Sequence, residues 1–393
     1  MNQDILLHLI SGGESSTVEF EREMERPKRL ARVAVGLANG RGGHVLIGVD
    51  DNRDIVGVTL SPGYEEWVSQ VGAETITPPL RLNCHTVDLD GRTVLVVESP
   101  SGPDKPYAVK AGQHKSTVYV RYGSTTRPAS REAIRRLYQN GGELIYNTLV
   151  VQGATLADLD PAKLERYFWQ ETGQRLDDLP LPLETVLKNL KVLGAKNGET
   201  LVTIAGLLIF GRDPARWLPQ SELALARFEG RELGGDWIDR LEIRDTVPEA
   251  IDAALAFVRR NTRLSSRVVG LKREDLSEYL EPVVREAVSN AMTHRDYSLL
   301  GANVRLFIFD DRIEVRSPGG LPGGLTVERL PFGAQYSRNP TVFFFLKSLG
   351  YGDRYGTGIP RMIKLCREED IRRPAFQEFE NEFVVTIYSR NTH

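Results

Sequence analysis

The chain has 393 residues, enough for two or three domains with separate cores, and its 41% hydrophobic and 26% charged residues are ordinary for a soluble globular protein. No run approaches the roughly 18 apolar residues of a membrane span, and the first residues carry an early acid and no basic stretch, unlike a signal peptide. A net charge of −3 neither demands nor excludes nucleic acid, and two cysteines, Cys84 and Cys366, without metal-ligand spacing point to reduced thiols in the cytoplasm.

Residues 1–140 alternate helix and strand. Leu6 to Ile10 has helical spacing, and Thr17 to Glu21 reads as a short strand. Leu30, Val33, Ala34 and Leu37 predict a helix that ends at the Asn39-Gly40-Arg41-Gly42-Gly43 turn. His44 to Val49 is a continuous apolar strand, and Asp50 to Asp54 a turn into Ile55 to Val58. Val87 to Val97 predicts a hairpin about Asp90-Gly91. Val118 to Tyr122 is a further strand, and Ser130 to Tyr138 a helix closed by Gly141-Gly142.

Residues 141–278 read as a mainly helical bridging domain without chemistry of its own. Pro161 to Trp169 is amphipathic, and Leu183 to Phe210 has a helical pattern broken at Asn197-Gly198. Leu223 to Phe228 predicts a strand and Val247 to Val258 a long helix. Residues 279–393 then give helices at Pro282 to Thr293, Val342 to Leu349 and Gly358 to Cys366. Strands are expected at Asn303 to Phe309, Ile313 to Arg316 and Glu382 to Tyr388, an α+β layer.

One stretch is distinctly basic. Lys105, Lys110, Lys115, Arg121, Arg127, Arg131, Arg135 and Arg136 face only Asp104 and Glu132 in the same segment. Such a stripe can neutralise phosphates and give salt-dependent nucleic-acid binding; a solvated surface of ordinary cations is the alternative.

The segment R-E-A-V-S-N-A-M-T-H-R-D-Y, Arg285 to Tyr297, puts Glu286 and Asn290 four apart, on one helical face. A carboxylate there can deprotonate an attacking water, and an amide oxygen one turn on can hold Mg²⁺. Glycine-rich segments follow: Ser317-Pro318-Gly319-Gly320-Leu321-Pro322 and Tyr355-Gly356-Thr357-Gly358-Ile359. Glycines let backbone N–H groups approach phosphates, and Gly358 opens a helix whose N-terminus favours anions. In this order the set resembles the GHKL (gyrase, MutL, histidine-kinase) ATP-binding family. The wider text through F-D-D-R-I-E-V-R-S-P-G-G-L-P, S-R-N-P and Y-G-T-G-I-P-R-M is similar to one subgroup of it. That subgroup forms the C-terminal half of bacterial proteins labelled transcriptional regulators or RecG-like helicases. The resemblance implies a Bergerat-type α/β sandwich over residues 279–393, with Glu286 as general base and Asn290 as magnesium ligand. Ser317, Gly319, Gly320, Gly356 and Gly358 would surround ATP. It also implies a homodimer formed around ATP. Ser317 stands where the family has an adenine-binding aspartate, which leaves base selectivity open. No Walker-type G-x-x-x-x-G-K-[ST] loop supports the helicase label.

At the other end, E-S-S-T-V-E-F (Glu14 to Phe20), L-A-N-G-R-G-G-H-V-L-I-G-V-D-D (Leu37 to Asp51) and Val118 to Ser124 resemble the Schlafen-type AlbA domain, an α/β fold. The resemblance implies nucleic-acid binding over residues 1–140. Some members are metal-dependent ribonucleases, and their acidic triad falls here on Glu14, Glu19 and Asp50, which would hold Mg²⁺ or Mn²⁺. Glu21 replaces a lysine common in that family. The candidate phosphate contacts are Lys105, Lys110, Lys115, Arg121 and Arg127.

The expectation from sequence is an ATP-binding, nucleic-acid-binding regulator or defence effector, in which the ATP module gates the N-terminal domain. A metal-dependent endoribonuclease with ATP as switch, and a non-catalytic interaction scaffold, are the alternatives.

Overall fold

The computed structural model describes residues 1–23, 26–112, 115–142, 144–269, 272–321, 325–333, 336–352, 356–379 and 381–390, with only the backbone of 265–275. The chain divides once, into Met1–Leu144 and Ile145–His393.

In the first unit, α1 (Gln3–Gly12), β1 (Val18–Glu21), α2 (Pro27–Asn39), β2 (Gly42–Ile47) and α3 (Tyr64–Gln70) come first. The strands β3 (Ile76–Thr77), β4 (Asn83–Leu89), β5 (Arg92–Pro100), β6 (Ala108–Lys110), β7 (Ser116–Tyr122) and β8 (Thr125–Pro128) follow, and α4 (Arg131–Asn140) closes the unit. They build two four-stranded sheets, ordered β1-β2-β5-β4 and β3-β6-β7-β8. Both sheets pack on α2: Val45, Ile47, Leu95 and Val97 from one and Ile76 and Val109 from the other share a core with Leu30, Ala34 and Leu37. The alternate residues Leu46, Val94 and Val96 turn to the opposite face, onto Leu6 and Ile10 of α1. A strand buried on both faces explains the unbroken apolar run His44 to Val49. Asn39 ties α2 to the second sheet, its Nδ2 donating to the carbonyls of Tyr107 and Tyr119 and its Oδ1 accepting from the Tyr107 N–H. At Gly43 the β1 and β2 backbones are so close that a Cβ would lie 2.1 Å from the Thr17 carbonyl oxygen.

The second unit contains α5 (Pro161–Thr172), α6 (Leu183–Asn189), β9 (Leu193–Lys196), β10 (Glu199–Val202), α7 (Ile204–Phe210) and α8 (Pro214–Trp217). Next come β11 (Leu223–Phe228), β12 (Trp237–Ile243), α9 (Val247–Asn261), the hairpin β13 (Leu264–Val269) and β14 (Lys272–Ser277), and α10 (Glu281–His294). The last elements are β15 (Val304–Ile308), β16 (Arg312–Pro318), α11 (Pro340–Ser348), α12 (Gly358–Glu368), β17 (Ala375–Phe379) and β18 (Glu382–Tyr388). The main sheet has six strands in the order β12-β11-β15-β16-β18-β17. β11 pairs parallel to β15, and every other pairing in it is antiparallel.

Two expectations for residues 141–278 are corrected. The segment is not a separate domain, because its β11 and β12 belong to the same sheet as β15 to β18, and one hydrophobic core joins Leu164, Phe210 and Leu255 to Val288, Phe345 and Ile387. Nor is Leu183 to Phe210 helical throughout: Asn197 (φ 52°) and Gly198 (φ 82°) are the turn of the β9–β10 hairpin, where both residues need positive φ.

Candidate functional site

The α10 helix starts with Pro282 in its first turn, where a missing N–H costs nothing, and buries Val283, Val284, Ala287 and Val288. That leaves Glu286, Ser289, Asn290, Thr293 and His294, offsets of three, four, seven and eight, along one side, and all five line a single cavity of about 350 Å³. The size suits a small-molecule site. Val315 and Ser317 of β16 and Phe383 and Val385 of β18 form another wall, with Gly319, Gly320, Leu330, Phe343, Gly356 and Gly358 around them. All seven residues singled out from the C-terminal sequence therefore meet at one cavity. Pro322 and Tyr355, from the same glycine segments, lie outside the described residues.

At one end, Asn290 Nδ2 donates to Glu286 Oε1 at 2.9 Å, an i,i+4 contact that fixes both side chains. The Glu286 carboxylate rests against Gly358, the first residue of the eleven-residue α12, where the helix dipole favours negative charge. One carboxylate and one amide oxygen suit a hard divalent cation, provided phosphate oxygens complete its shell. Gly356 has φ 66°, a conformation that favours glycine.

Along β16, Ser317 is buried and its hydroxyl donates to the Ala291 carbonyl at 2.8 Å, so its proton is committed and only its lone pairs face a ligand. Gly319 and Gly320 are glycines for a local reason. A Cβ at 319 would lie 2.4 Å from Arg338 Nη1, and one at 320 would lie 2.5 Å from Glu378 Oε1. Arg338 and Asn339, which in the sequence stand out only as part of S-R-N-P, stitch the end of α10. Arg338 donates to the carbonyls of His294 and Gly320, and Asn339 to those of Thr293 and Arg295. Burial, with Arg338 nearby, pushes the His294 imidazole down to about 4.

The N-terminal acids behave differently. Glu14 Oε1 accepts from the Phe20 N–H at 3.0 Å, and Glu19 pairs with Arg121 at 2.5 Å. Burial raises the Glu19 pKa, against the opposing hydrogen bond and charge of Arg121. Asp50 Oδ1 accepts from the Asn52 and Asp54 N–H groups, closing its own turn. The expected metal triad of Glu14, Glu19 and Asp50 is thus corrected: among the described residues no group of three His, Cys, Asp or Glu is placed to hold an ion. The parallel register explains why. Glu19 lies level with Val45 and Glu21 with Ile47, the last residue of β2, so Asp50 comes after the paired strands have ended. Glu21 is buried and neutralised by Arg29, whose Nε and Nη2 each bind one carboxylate oxygen.

The basic stripe also splits. The Arg121 side chain is 1% exposed, and its guanidinium donates to the carbonyls of Ser15 and Val18 as well as to Glu19. Lys105 is 7% exposed, its Nζ donating to the Gly40 carbonyl at the end of α2 and to Ser101 Oγ, and burial pushes its pKa down to about 8. Neither is placed to meet a phosphate. Lys110, Lys115 and Arg127 are exposed. In the β6-β7-β8 register Lys110 pairs with Ser116 and Arg127 with Val120, so both lie on the face opposite Arg121, together with the exposed Tyr122.

Residues 14–130 match the family model described as "Schlafen, AlbA_2", and residues 301–387 match the one described as "Putative ATP-dependent DNA helicase recG C-terminal". The fold resembles the crystal structure of the DIP2311 protein from Corynebacterium diphtheriae, at 23% identity and a TM-score of 0.51, over 98% of this chain and 79% of that one. A solution structure from Nitrosomonas europaea is 27% identical over 33% of this chain and 90% of its own, with a TM-score of 0.26. It is the N-terminal domain of a protein titled "Putative ATP-dependent DNA Helicase RecG-related". No curated protein matches the chain. No described helix is long and apolar enough to cross a membrane. By these matches the chain joins an N-terminal Schlafen AlbA_2 domain to a C-terminal ATPase-like domain of the RecG C-terminal type.

Proposed function

We propose that the second unit binds ATP with a divalent cation, Mg²⁺ or Mn²⁺, and that the first unit binds nucleic acid under its control. The observation that carries the nucleotide reading is the single face of α10 that puts Glu286 and Asn290 on the glycine-lined cavity, beside the N-terminus of α12. In this reading the Asn290 amide oxygen joins the cation shell, and Glu286 accepts the proton of the attacking water. Calorimetric titration of the whole chain with ATP and Mg²⁺, beside Asn290→Ala, is the test. Absence of heat for ATP, ADP and GTP at millimolar concentration in the wild type would sink the proposal.

For the first unit, the exposed Lys110 and Arg127 and the nearby Tyr122 support a nucleic-acid face that attracts phosphates and stacks a base. A gel-shift series with and without ATP-Mg²⁺ checks both binding and control; affinity indifferent to nucleotide would remove the control. Homodimerisation around ATP belongs to the same reading, and light scattering with and without nucleotide reads it. The endoribonuclease alternative loses its geometric basis, since the three carboxylates do not fit a shared metal.

A further inference from the structure

The main sheet of the second unit ends on β12, which among the described residues pairs with β11 alone. A strand at the end of a sheet turns the N–H and C=O groups of alternate residues outward, where another strand can take them. Proteins usually blunt such an edge with proline, lysine or a very short strand. Here the strand runs seven residues, W-I-D-R-L-E-I, with no proline and no lysine. Trp237 and Ile238 at its start are 58% and 60% exposed. Its one irregularity is a bulge at Ile238, beside the Arg227–Phe228 step of β11, which leaves Asp239 to Ile243 as an unbroken stretch.

The charges on that stretch fit a copy of itself. Leu241 and Ile243 turn to the hydrophobic core, so Arg240 and Glu242 share the outer face, where both are exposed. Their neighbours are engaged, Asp239 with Arg260 and Arg244 with Glu222, whereas Arg240 and Glu242 form no ion pair among the described residues. Two antiparallel copies laid edge to edge about a two-fold axis place one residue opposite itself. With Leu241 on the axis, all five residues of the stretch find a partner. Arg240 then lies opposite Glu242 of the other copy, and the symmetry makes that contact twice. An axis at Asp239, Arg240 or Glu242 would set like charges face to face, and one at Ile243 would pair only that residue of the stretch. Charge and length select the same register.

We propose that the free edge of β12 pairs antiparallel with β12 of a second copy of this chain, centred on Leu241, joining the two six-stranded sheets into one. β11 and β15 stand between β12 and β16, the strand that walls the nucleotide cavity, so the contact uses none of the residues around that cavity. It is separate from pairing around ATP and needs no nucleotide.

Sedimentation of the full chain over a concentration series, in EDTA and without nucleotide, is the test. The wild type should reach a dimer at micromolar concentration. Arg240→Glu sets glutamates opposite each other and Glu242→Arg sets arginines opposite each other, so each should weaken the dimer by about 10-fold or more. An equimolar mixture of the two variants restores both opposite-charge contacts and should form a heterodimer of wild-type strength. The double exchange, Arg240→Glu with Glu242→Arg, should recover the dimer by itself. A misfolded variant cannot recover in either way. A wild type that stays monomeric, leaving the edge to a strand of another protein, would overturn the assignment. So would single variants as dimeric as the wild type, or a mixture that gains nothing. A dimer that forms only with ATP and ignores both exchanges would overturn it too, and would assign pairing to the nucleotide site.

Discussion

Glu286 and Gly358 are in contact across two helices: a Cβ at position 358 would lie 1.8 Å from Glu286 Oε1. The glycine is therefore required by a carboxylate, not by an unusual backbone, because residue 358 already begins the α12 helix. This relationship gives the first prediction. Gly358→Ala pushes the Glu286 side chain away from the α12 N-terminus and breaks its hydrogen bond with Asn290. ATP turnover should fall by about 100-fold, the usual scale for a displaced general base. Steady-state hydrolysis reads this, and turnover at the wild-type rate would separate Glu286 from the chemistry.

Glu286→Gln and Asn290→Ala should divide the site into two functions. The first keeps the shape and the Asn290 contact but cannot accept a proton, so nucleotide affinity should persist while turnover drops by 10²–10⁴, roughly the range for general bases. The second removes a cation ligand, so Mg²⁺ should no longer strengthen ATP binding. Binding measured with Mg²⁺ and with EDTA checks the pair. A Glu286→Gln variant that loses nucleotide altogether would make the residue a binding group.

Much of the second site is legible in the sequence because helical spacing is local. Glu286, Asn290 and His294 must share a side of α10 whatever surrounds it. What the sequence hides has a common cause in contacts between distant segments. Arg121 looks like any surface cation until it is seen reaching Ser15, Val18 and Glu19, about a hundred positions earlier. Lys105 gives no sign in its neighbours that it will close the end of α2. Asp50 is expected beside Glu19 because the family resemblance puts both in one acidic triad, but where Asp50 falls depends on a strand pairing whose direction and register are not written in either strand alone. The Asn197-Gly198 break is plain in the sequence, yet its short apolar flanks suit the helical period and hide the strand period that the fold adopts.

The split of the basic stripe predicts two kinds of mutant. Lys110→Glu with Arg127→Glu should weaken nucleic-acid binding for every sequence and reduce the salt slope by about 2, near 0.9 for each duplex phosphate no longer neutralised. Thermal stability should barely move, since both side chains are exposed. An unchanged slope in a salt titration would place the face elsewhere.

Arg121→Ala should do the opposite. It leaves the half-buried Glu19 without its partner and the Ser15 carbonyl without its side-chain donor, which costs about 3–5 kcal/mol. Denaturant titration should show a large drop in stability before any binding assay is interpretable. A variant as stable as the wild type would mean that Glu19 finds another partner or takes up a proton.

The last prediction concerns Lys105 and pH. Its pKa is about 8 in the folded chain against 10.5 when unperturbed, the shift caused by burial. Below pH 8 both folded and unfolded chains carry the proton, and the buried charge costs a constant amount. Between about 8 and 10.5 the unfolded chain keeps a proton that the folded chain has released, so this group's contribution to stability rises with pH. The full gain is about 3 kcal/mol, from 2.5 pKa units at about 1.4 kcal/mol each. Lys105→Met removes the titration while retaining the apolar stem, and the Gly40 carbonyl still accepts from Ser101 Oγ at 3.0 Å. The stability of the wild type relative to Lys105→Met should therefore climb between about pH 7.5 and 10, when both are unfolded in urea at each pH. Other groups, such as Tyr107, titrate in both proteins and cancel in the difference. A difference that stays flat across this range would show that Lys105 holds its proton in the fold, as an exposed, phosphate-binding lysine does, and would return it to the candidate nucleic-acid face.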